Sequence, residues 1–429
     1  MTAAVIALVA MLALIVVEVP IAVAMALPGI AGFLWMLGWD PTAYMVAETT
    51  FSTVNSYALS VIPLFILMGN LINEADVSRE LYDAAYRFVG HLKGGLAIAT
   101  VIACAAFAAV CGSSLATAAA MSKVAYPSMK RYGYADNLAA GSIASAGTLG
   151  IMIPPSVAFM VYGIMTQTDI GKLFMAGVLP GLLGALLYIG AVIVVVWLRP
   201  QDGPAGERSS WGQRFAALRG TATVLGLFLV VIGGMYGGVF TPTEGAGIGA
   251  VGAFLIALAR RKLSWRRLFA ILVDTAATTT MLFFVLVGAL IFSKFITIAG
   301  FTQALTGWFA AAEIGPLGLI LIICALYLVL GCFLESMSMV LLTLPIVFPV
   351  VTAAGFDPIW FGVIMVTLIE VALITPPVGM NVYMMQTLLP HIPMKTIFAG
   401  VGAFVAADVI RIVLLIAFPA ISTFLPSLM

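Results

Sequence analysis

Charge is what this sequence has least of. Only 9% of its 429 residues are Asp, Glu, Lys or Arg, while 63% are hydrophobic. A soluble chain of this length needs far more charge to hold its surface in water. The composition therefore excludes a soluble globular fold and leaves immersion in a bilayer. The few charges are also gathered. None falls in 1–17, 19–39, 49–73, 94–122, 137–168, 173–198, 220–243, 275–293, 314–334, 336–356 or 371–394. Most of these stretches reach the roughly 17–25 residues that a helix needs to cross hydrocarbon. The alternating pattern of a membrane β-barrel is missing, which excludes that class. The expected fold is an all-α polytopic membrane protein.

Other absences narrow the function. The only histidines are His91 and His391, and HExxH, GxSxG and Walker A motifs are all missing, so no enzyme reading finds a start. Gly247-Ile248-Gly249-Ala250-Val251-Gly252 matches GxGxxG in form only. It follows no strand pattern and reads as close packing of a glycine-rich membrane helix. A net charge of +1 says nothing about a partner, and no basic patch suggests nucleic acid. The four cysteines, Cys104, Cys111, Cys324 and Cys332, lie inside apolar stretches and read as small buried hydrophobes. No charged leader precedes the first apolar stretch, which is expected to be a retained helix.

What is present is a pattern of basic loops. Arg199, Arg208, Arg214 and Arg219 form one cluster, and Arg260, Arg261, Lys262, Arg266 and Arg267 another. Lys and Arg mark cytoplasmic loops, and the segment between the clusters holds two helices that return the chain to one side. Arg79, Arg87 and Lys93 precede the uncharged stretch 94–122, and Lys130 and Arg131 follow it. Cys111-Gly112-Ser113-Ser114 interrupts that stretch, leaving arms of ~24 Å against a ~30 Å hydrocarbon core. Two full spans would satisfy the charges as well, but short arms with a polar tip describe a re-entrant hairpin. The stretch 316–350 repeats the pattern from the other side. About ten spans plus two hairpins result.

The two halves match at an offset of 222 residues: Pro127 with Pro349, Gly133 with Gly355, and Pro154-Pro155 with Pro376-Pro377. Leu64–Gly69 also echoes Leu282–Gly288. Five spans separate the hairpins, an odd number, so the repeats are inverted. Inverted repeats with broken helices are the architecture of secondary transporters. Unwound backbone in a membrane is tolerated only where it is buried or lines a cavity. The interruptions at Gly112–Ser114, Pro154–Ser156, Gly331–Glu335 and Thr375–Pro377 are therefore the candidate site. Each proline doublet frees carbonyls suited to sodium, and the half-helix after it offers N–H groups to an anion. Asn381 is placed either to bind substrate or to cap a neighbouring helix. Glu335 and Glu370 are ionisable groups inside the membrane and so candidates for coupling. Lys123 and Lys294 are expected to snorkel, and Asp408 and Arg411 to pair at i,i+3.

At these residues the sequence resembles the large membrane subunit of TRAP (tripartite ATP-independent periplasmic) transporters. The resemblance rests on IPLFILMGNLI at 62–72, GSSLATAAAMSKVAYPSMKRYGY at 112–134, GTLGIMIPPS at 147–156, GGVFTPTEGAG at 237–247 and ITPPVGMNVY at 374–383. It implies an elevator-type transporter in the bacterial inner membrane, coupled to sodium and importing a small organic acid. Dicarboxylates, keto acids, sugar acids and sialic acid all remain open. Implied partners are a small four-helix membrane subunit, expected as a separate chain, and a soluble periplasmic substrate-binding protein. The division expected is scaffold helices and an amphipathic connector in 1–93 and a first transport repeat in 94–198. Basic loops, a helical hairpin and connector occupy 199–314, and a second transport repeat 315–429. Implied sodium positions are Ser113, Ser114, Gly331, Leu334, Ala372, Thr375 and Val378; position 372 is usually glycine in the family pattern. Substrate is expected at Ser114, Thr117, Pro155, Ser156, Pro377 and Asn381. A proton-coupled transporter and an ion channel are the competing readings.

Overall fold

The computed structural model describes every residue except Met1, Glu313, Cys332 and the side chain of Ala310. Among the described residues all regular structure is helical, with no strand. The chain opens with α1 (Thr2–Val16), α2 (Ile21–Leu37), α3 (Trp39–Val54), α4 (Val61–Glu74) and α5 (Val77–Val89). A first hairpin follows, α6 (Gly95–Cys111) and α7 (Ser114–Arg131), then an interrupted helix, α8 (Asp136–Met152) and α9 (Val157–Thr166). Next come α10 (Ile170–Leu198), α11 (Trp211–Tyr236), α12 (Pro242–Ala259), the 34-residue α13 (Trp265–Ile298) and α14 (Phe301–Ala311). The second hairpin is α15 (Pro316–Gly331) and α16 (Ser336–Ala353). The second interrupted helix, α17 (Pro358–Ile374) and α18 (Met380–Leu388), precedes α19 (Met394–Ala417).

The punctuation follows from sequence. Both proline doublets interrupt a helix, because proline cannot donate to the preceding turn. Gly112 closes α6 with φ +65, a left-handed conformation that suits glycine, and Ser113 then turns extended and caps α7 by accepting from the Ala116 N–H. Thr241 and Glu244 form a reciprocal capping box at the start of α12.

The repeat register holds at the residue level. α7 and α16 begin and end 222 residues apart, Ser114–Arg131 against Ser336–Ala353. The same offset relates α8 to α17, Asp136–Met152 against Pro358–Ile374. Each hairpin packs across to the opposite repeat: α7 lies on α18, and α16 on α9. Contacts also fix the inversion. The base of the first hairpin meets the segment after α10, with Gly94 N–H donating to Gly203 O and Ala135 N–H to Asp202 O. Arg214 donates to Arg87 O, and His391 meets Tyr126, so the basic loops and the turn before α19 share one side. The base of the second hairpin instead meets the start of α17 and the far end of α19, around Phe356, Trp360 and Ile416.

Among the described residues eight helical stretches are long and apolar enough to cross a membrane, and one of them is the hairpin arm α16. The other seven, with α1, α2 and the interrupted α17–α18, make the ten spans expected. The uncharged stretch 49–73 is not one of them as a single unit. Asn55-Ser56 ends α3, and α4 starts afresh at Val61. The upstream echo is not equivalent in its packing either. Gly69 lies against Cys111 of the first hairpin, whereas Gly288 lies against Ala22 of α2. The GxGxxG stretch does pack helices, with Gly249 against Met68 and Gly252 against Leu227. Cys104 and Cys324 are buried, Cys111 is half-buried, and all three are free thiols; Cys332 lies outside the described residues.

Candidate functional site

The two hairpin tips meet at a cavity of about 300 Å³. One wall is made by Ser113 and Ser114 of the first tip and by Glu335 and Ser336 of the second. α4, with Asn70 and Asn73, and α13, with Thr278, also line the cavity. Missing side chains hold the first tip in place. A Cβ on Gly112 would lie 2.6 Å from the Pro155 carbonyl oxygen, and one on Gly150 2.6 Å from that of Ser113. A Cβ on Gly69 would lie 2.9 Å from the Cys111 oxygen. All three targets are backbone, so larger residues would push the tip away from α4, α8 and the first break.

The two tips differ chemically at equivalent positions. Residue 335 in the second repeat is the counterpart of Ser113, and it is a glutamate. Its carboxylate caps α16, accepting from Met337 N–H at 3.0 Å, Ser338 N–H at 3.2 Å and Ser336 Oγ at 2.8 Å. The positive end of α16 is thus already matched by a negative group. The start of α7 carries only hydroxyls. Ser114 is 3% exposed, lines the cavity, and its Oγ makes no hydrogen bond with the described residues.

The residues expected at the site divide into two groups. Ser113 and Ser114 line the cavity. Thr117 is buried behind them and donates to Ser113 O at 2.7 Å. Pro155 is buried with its carbonyl toward Gly112, and Ser156 donates to Ile151 O while capping α9. The Met152, Ile153, Pro154 and Pro155 carbonyls accept no hydrogen bond from the described residues, so the first break holds a set of spare oxygens. The second-repeat candidates sit elsewhere. Asn381 is buried and donates to Ala144 O at 3.0 Å, holding α18 to α8. Thr375 donates to Val371 O, while Pro377 and Val378 are exposed and Leu334 is half-buried. Ala372 faces Gly331 so closely that a Cβ on Gly331 would overlap its methyl group. Among the described residues no group of three His, Cys, Asp or Glu could hold a metal ion.

The family described as "Tripartite ATP-independent periplasmic transporter, DctM component" matches residues 8–421. The chain belongs to this family. A C4-dicarboxylate TRAP transporter large permease protein from Pseudomonas aeruginosa is 37% identical over 401 residues, 93% of this chain and 92% of that one. An ectoine TRAP transporter large permease protein from Halomonas elongata is 30% identical, covering 97% of each chain. In fold, the chain resembles the Alcanivorax borkumensis YdaH transporter, described as having an unusual topology. The TM-score is 0.53 at 14% identity, over 91% of this chain and 89% of that one.

This DctM component is therefore a multi-pass membrane part of a three-part transporter, and its relatives are permeases rather than enzymes. Sequence reasoning missed two of its features. The wall formed by Asn70, Asn73 and Thr278 carries no motif, since isolated amides and hydroxyls on apolar helices resemble packing residues. The second is a buried ion cluster. Asp408 and Arg411 do pair, at 2.8 Å, but Arg411 also pairs with Glu370, 41 residues away, and all three are fully buried. Only burial could have revealed that partner.

Proposed function

We propose that this chain imports a small organic acid down a sodium gradient by an elevator movement. The hairpins and interrupted helices would slide against α4 and α13. The observation that carries the reading is the meeting of both hairpin tips at one cavity that α4 and α13 also line. A substrate bound there touches both sets of helices, so their relative motion would expose it to either side in turn. A carboxylate fits the start of α7, where Ser114 has a free hydroxyl and the helix end is positive. Spare carbonyls at Met152–Pro155, beside Ser113, suit sodium. The acid would come from a periplasmic binding protein, and a separate small membrane subunit would complete the complex in the bacterial inner membrane. The relatives' substrates, C4-dicarboxylate and ectoine, leave the particular acid open.

One observation favours a second reading. Glu335 puts an ionisable group in the cavity wall, which suits proton coupling. Uptake into proteoliposomes containing this chain, the small subunit and the cognate binding protein separates the two. Uptake of labelled organic acids driven by an inward sodium gradient supports the first reading. Uptake indifferent to sodium and driven by a pH gradient overturns it in favour of Glu335. Ion conductance without saturable uptake would make the protein a channel and overturn both.

A further inference from the structure

Arg411, Glu370 and Asp408 are wholly withdrawn from solvent, and none lines the cavity between the hairpin tips. One guanidinium nitrogen of Arg411 serves both carboxylates, donating to Glu370 Oε2 and lying 2.8 Å from Asp408 Oδ1. Tyr188 donates to Asp408 Oδ2 at 2.7 Å, and its hydroxyl meets that of Thr148 at 3.2 Å. Gly184 makes room for the guanidinium, because a Cβ there would overlap Arg411 Nη1. The cluster joins α8, α10, α17 and α19, two helices from each repeat. Thr148 and Glu370 occupy the same repeat position, 222 residues apart, so the cluster lies where the two halves meet.

The groups facing Glu370 are few. Among the described residues, α19 supplies Asp408 and Arg411, α10 supplies Tyr188, which reaches Asp408, and α8 supplies Thr148, which reaches Tyr188. Tyr162 of α9 and Tyr327 of α15 turn instead to the Pro358 carbonyl and to Thr343. Two carboxylates against one guanidinium leave an excess negative charge out of reach of bulk solvent. An unpaired charge in such a place is among the costliest things a protein interior can hold. Among the described residues Glu370 Oε1 has no hydrogen-bond partner and no second cation pairs with the cluster, so the hydrogen bond from Tyr188 to Asp408 is the one further relief.

We propose that this cluster is a proton-binding site, in which Glu370 and Asp408 share one proton that keeps the four-helix junction neutral. The proton is a resident of the junction rather than a coupling ion. It leaves the junction able to behave as a single rigid piece.

Charge counting supplies the test, read as thermal unfolding of the purified full-length chain together with an infrared spectrum. Glu370→Gln and Asp408→Asn each replace the proton with an amide and leave one carboxylate on Arg411, so each should unfold close to the wild type. Glu370→Gln/Asp408→Asn strands the guanidinium. Its unfolding temperature should fall by roughly threefold or more the larger single shift, or the chain should fail to accumulate. Adding Arg411→Met to that pair removes the stranded charge and should recover folded protein. At neutral pH the wild type should show the infrared band of a protonated carboxylic acid, lost in either single variant. Equal damage from the singles and the double, no recovery on adding Arg411→Met, or no such band in the wild type would each overturn the proposal. None of these readouts depends on the transported substrate.

Discussion

Single side chains decide how closely the hairpins approach the broken helices. The methyl group of Ala372 fits because residue 331 opposite has no side chain. Gly331→Ala should therefore clash and cost about 1–3 kcal/mol. Gly331→Ala/Ala372→Gly moves the methyl group across the same contact and should restore most of the loss, as measured by thermal unfolding. Failure of the reciprocal swap would mean that the tight approach at Gly331 is set by other neighbours. At the first tip, Ser114→Trp fills the cavity beside a hydroxyl that spans no other contact. It should abolish uptake while leaving assembly with the small subunit intact; normal uptake would move the substrate elsewhere. The need for small residues at 112, 113 and 114 was legible from a polar, glycine-bearing break in an uncharged stretch. That Ser114 faces the cavity while Thr117 turns inward to Ser113 was not, because one helical turn separates them and both are hydroxyls.

At the scale of elements, the turn between α4 and α5 is clamped to the loop between α12 and α13. Arg260 pairs with Glu80, Lys262 with Asp76 and Arg267 with Glu74, each at 2.7 Å. Arg260 also donates to Ala75 O and Gly220 O, tying α11 into the same clamp. The hydrogen bond from Lys262 holds the Asp76 carboxyl below its ordinary value. The pair therefore stabilises fully above the unfolded value of about 3.9 and is lost as pH falls through the lowered one. Asp76 is 60% exposed, so solvent screens the pair and its worth is about 0.5 kcal/mol. Asp76→Asn should lower stability by that amount at pH 7 and by nothing near pH 2, compared by thermal unfolding across that range. The doublets and the 222-residue offset made most helix boundaries of the repeats readable, since proline and left-handed glycine are local instructions. The break at Asn55-Ser56 carried no such instruction, and the run 49–73 looked continuous because neither residue is charged. The partner of Arg411 was unreadable for another reason. Glu370 and Arg411 lie on different helices, and periodicity reports on one helix at a time.

For the whole molecule, the two repeats are alike in course but not in environment. Residues 151–156 around the first proline doublet are all buried, whereas Pro376, Pro377 and Val378 are exposed. Exchange of those environments is what an elevator step between inverted halves requires. Asn70 on α4 and the native Cys111 at the end of α6 line the same cavity. Asn70→Cys, with the other cysteines replaced by alanine, therefore offers a thiol pair across the boundary at which the proposed movement would occur. Bridging it with a short thiol-reactive cross-linker should stop uptake, and reduction of a cleavable linker should restore it. Undiminished uptake in the bridged protein would mean that the first hairpin does not travel past α4.

The crossed packing of the repeats also sets a clock for synthesis. α7 is complete at residue 131, but α18, on which it rests, begins at residue 380. At about 5–20 residues per second the ribosome needs roughly 12–50 s to make what lies between. For that interval the first hairpin has its polar tip and no cover from the second repeat. The newborn chain must be sheltered at the insertion machinery until its own second half arrives to take over.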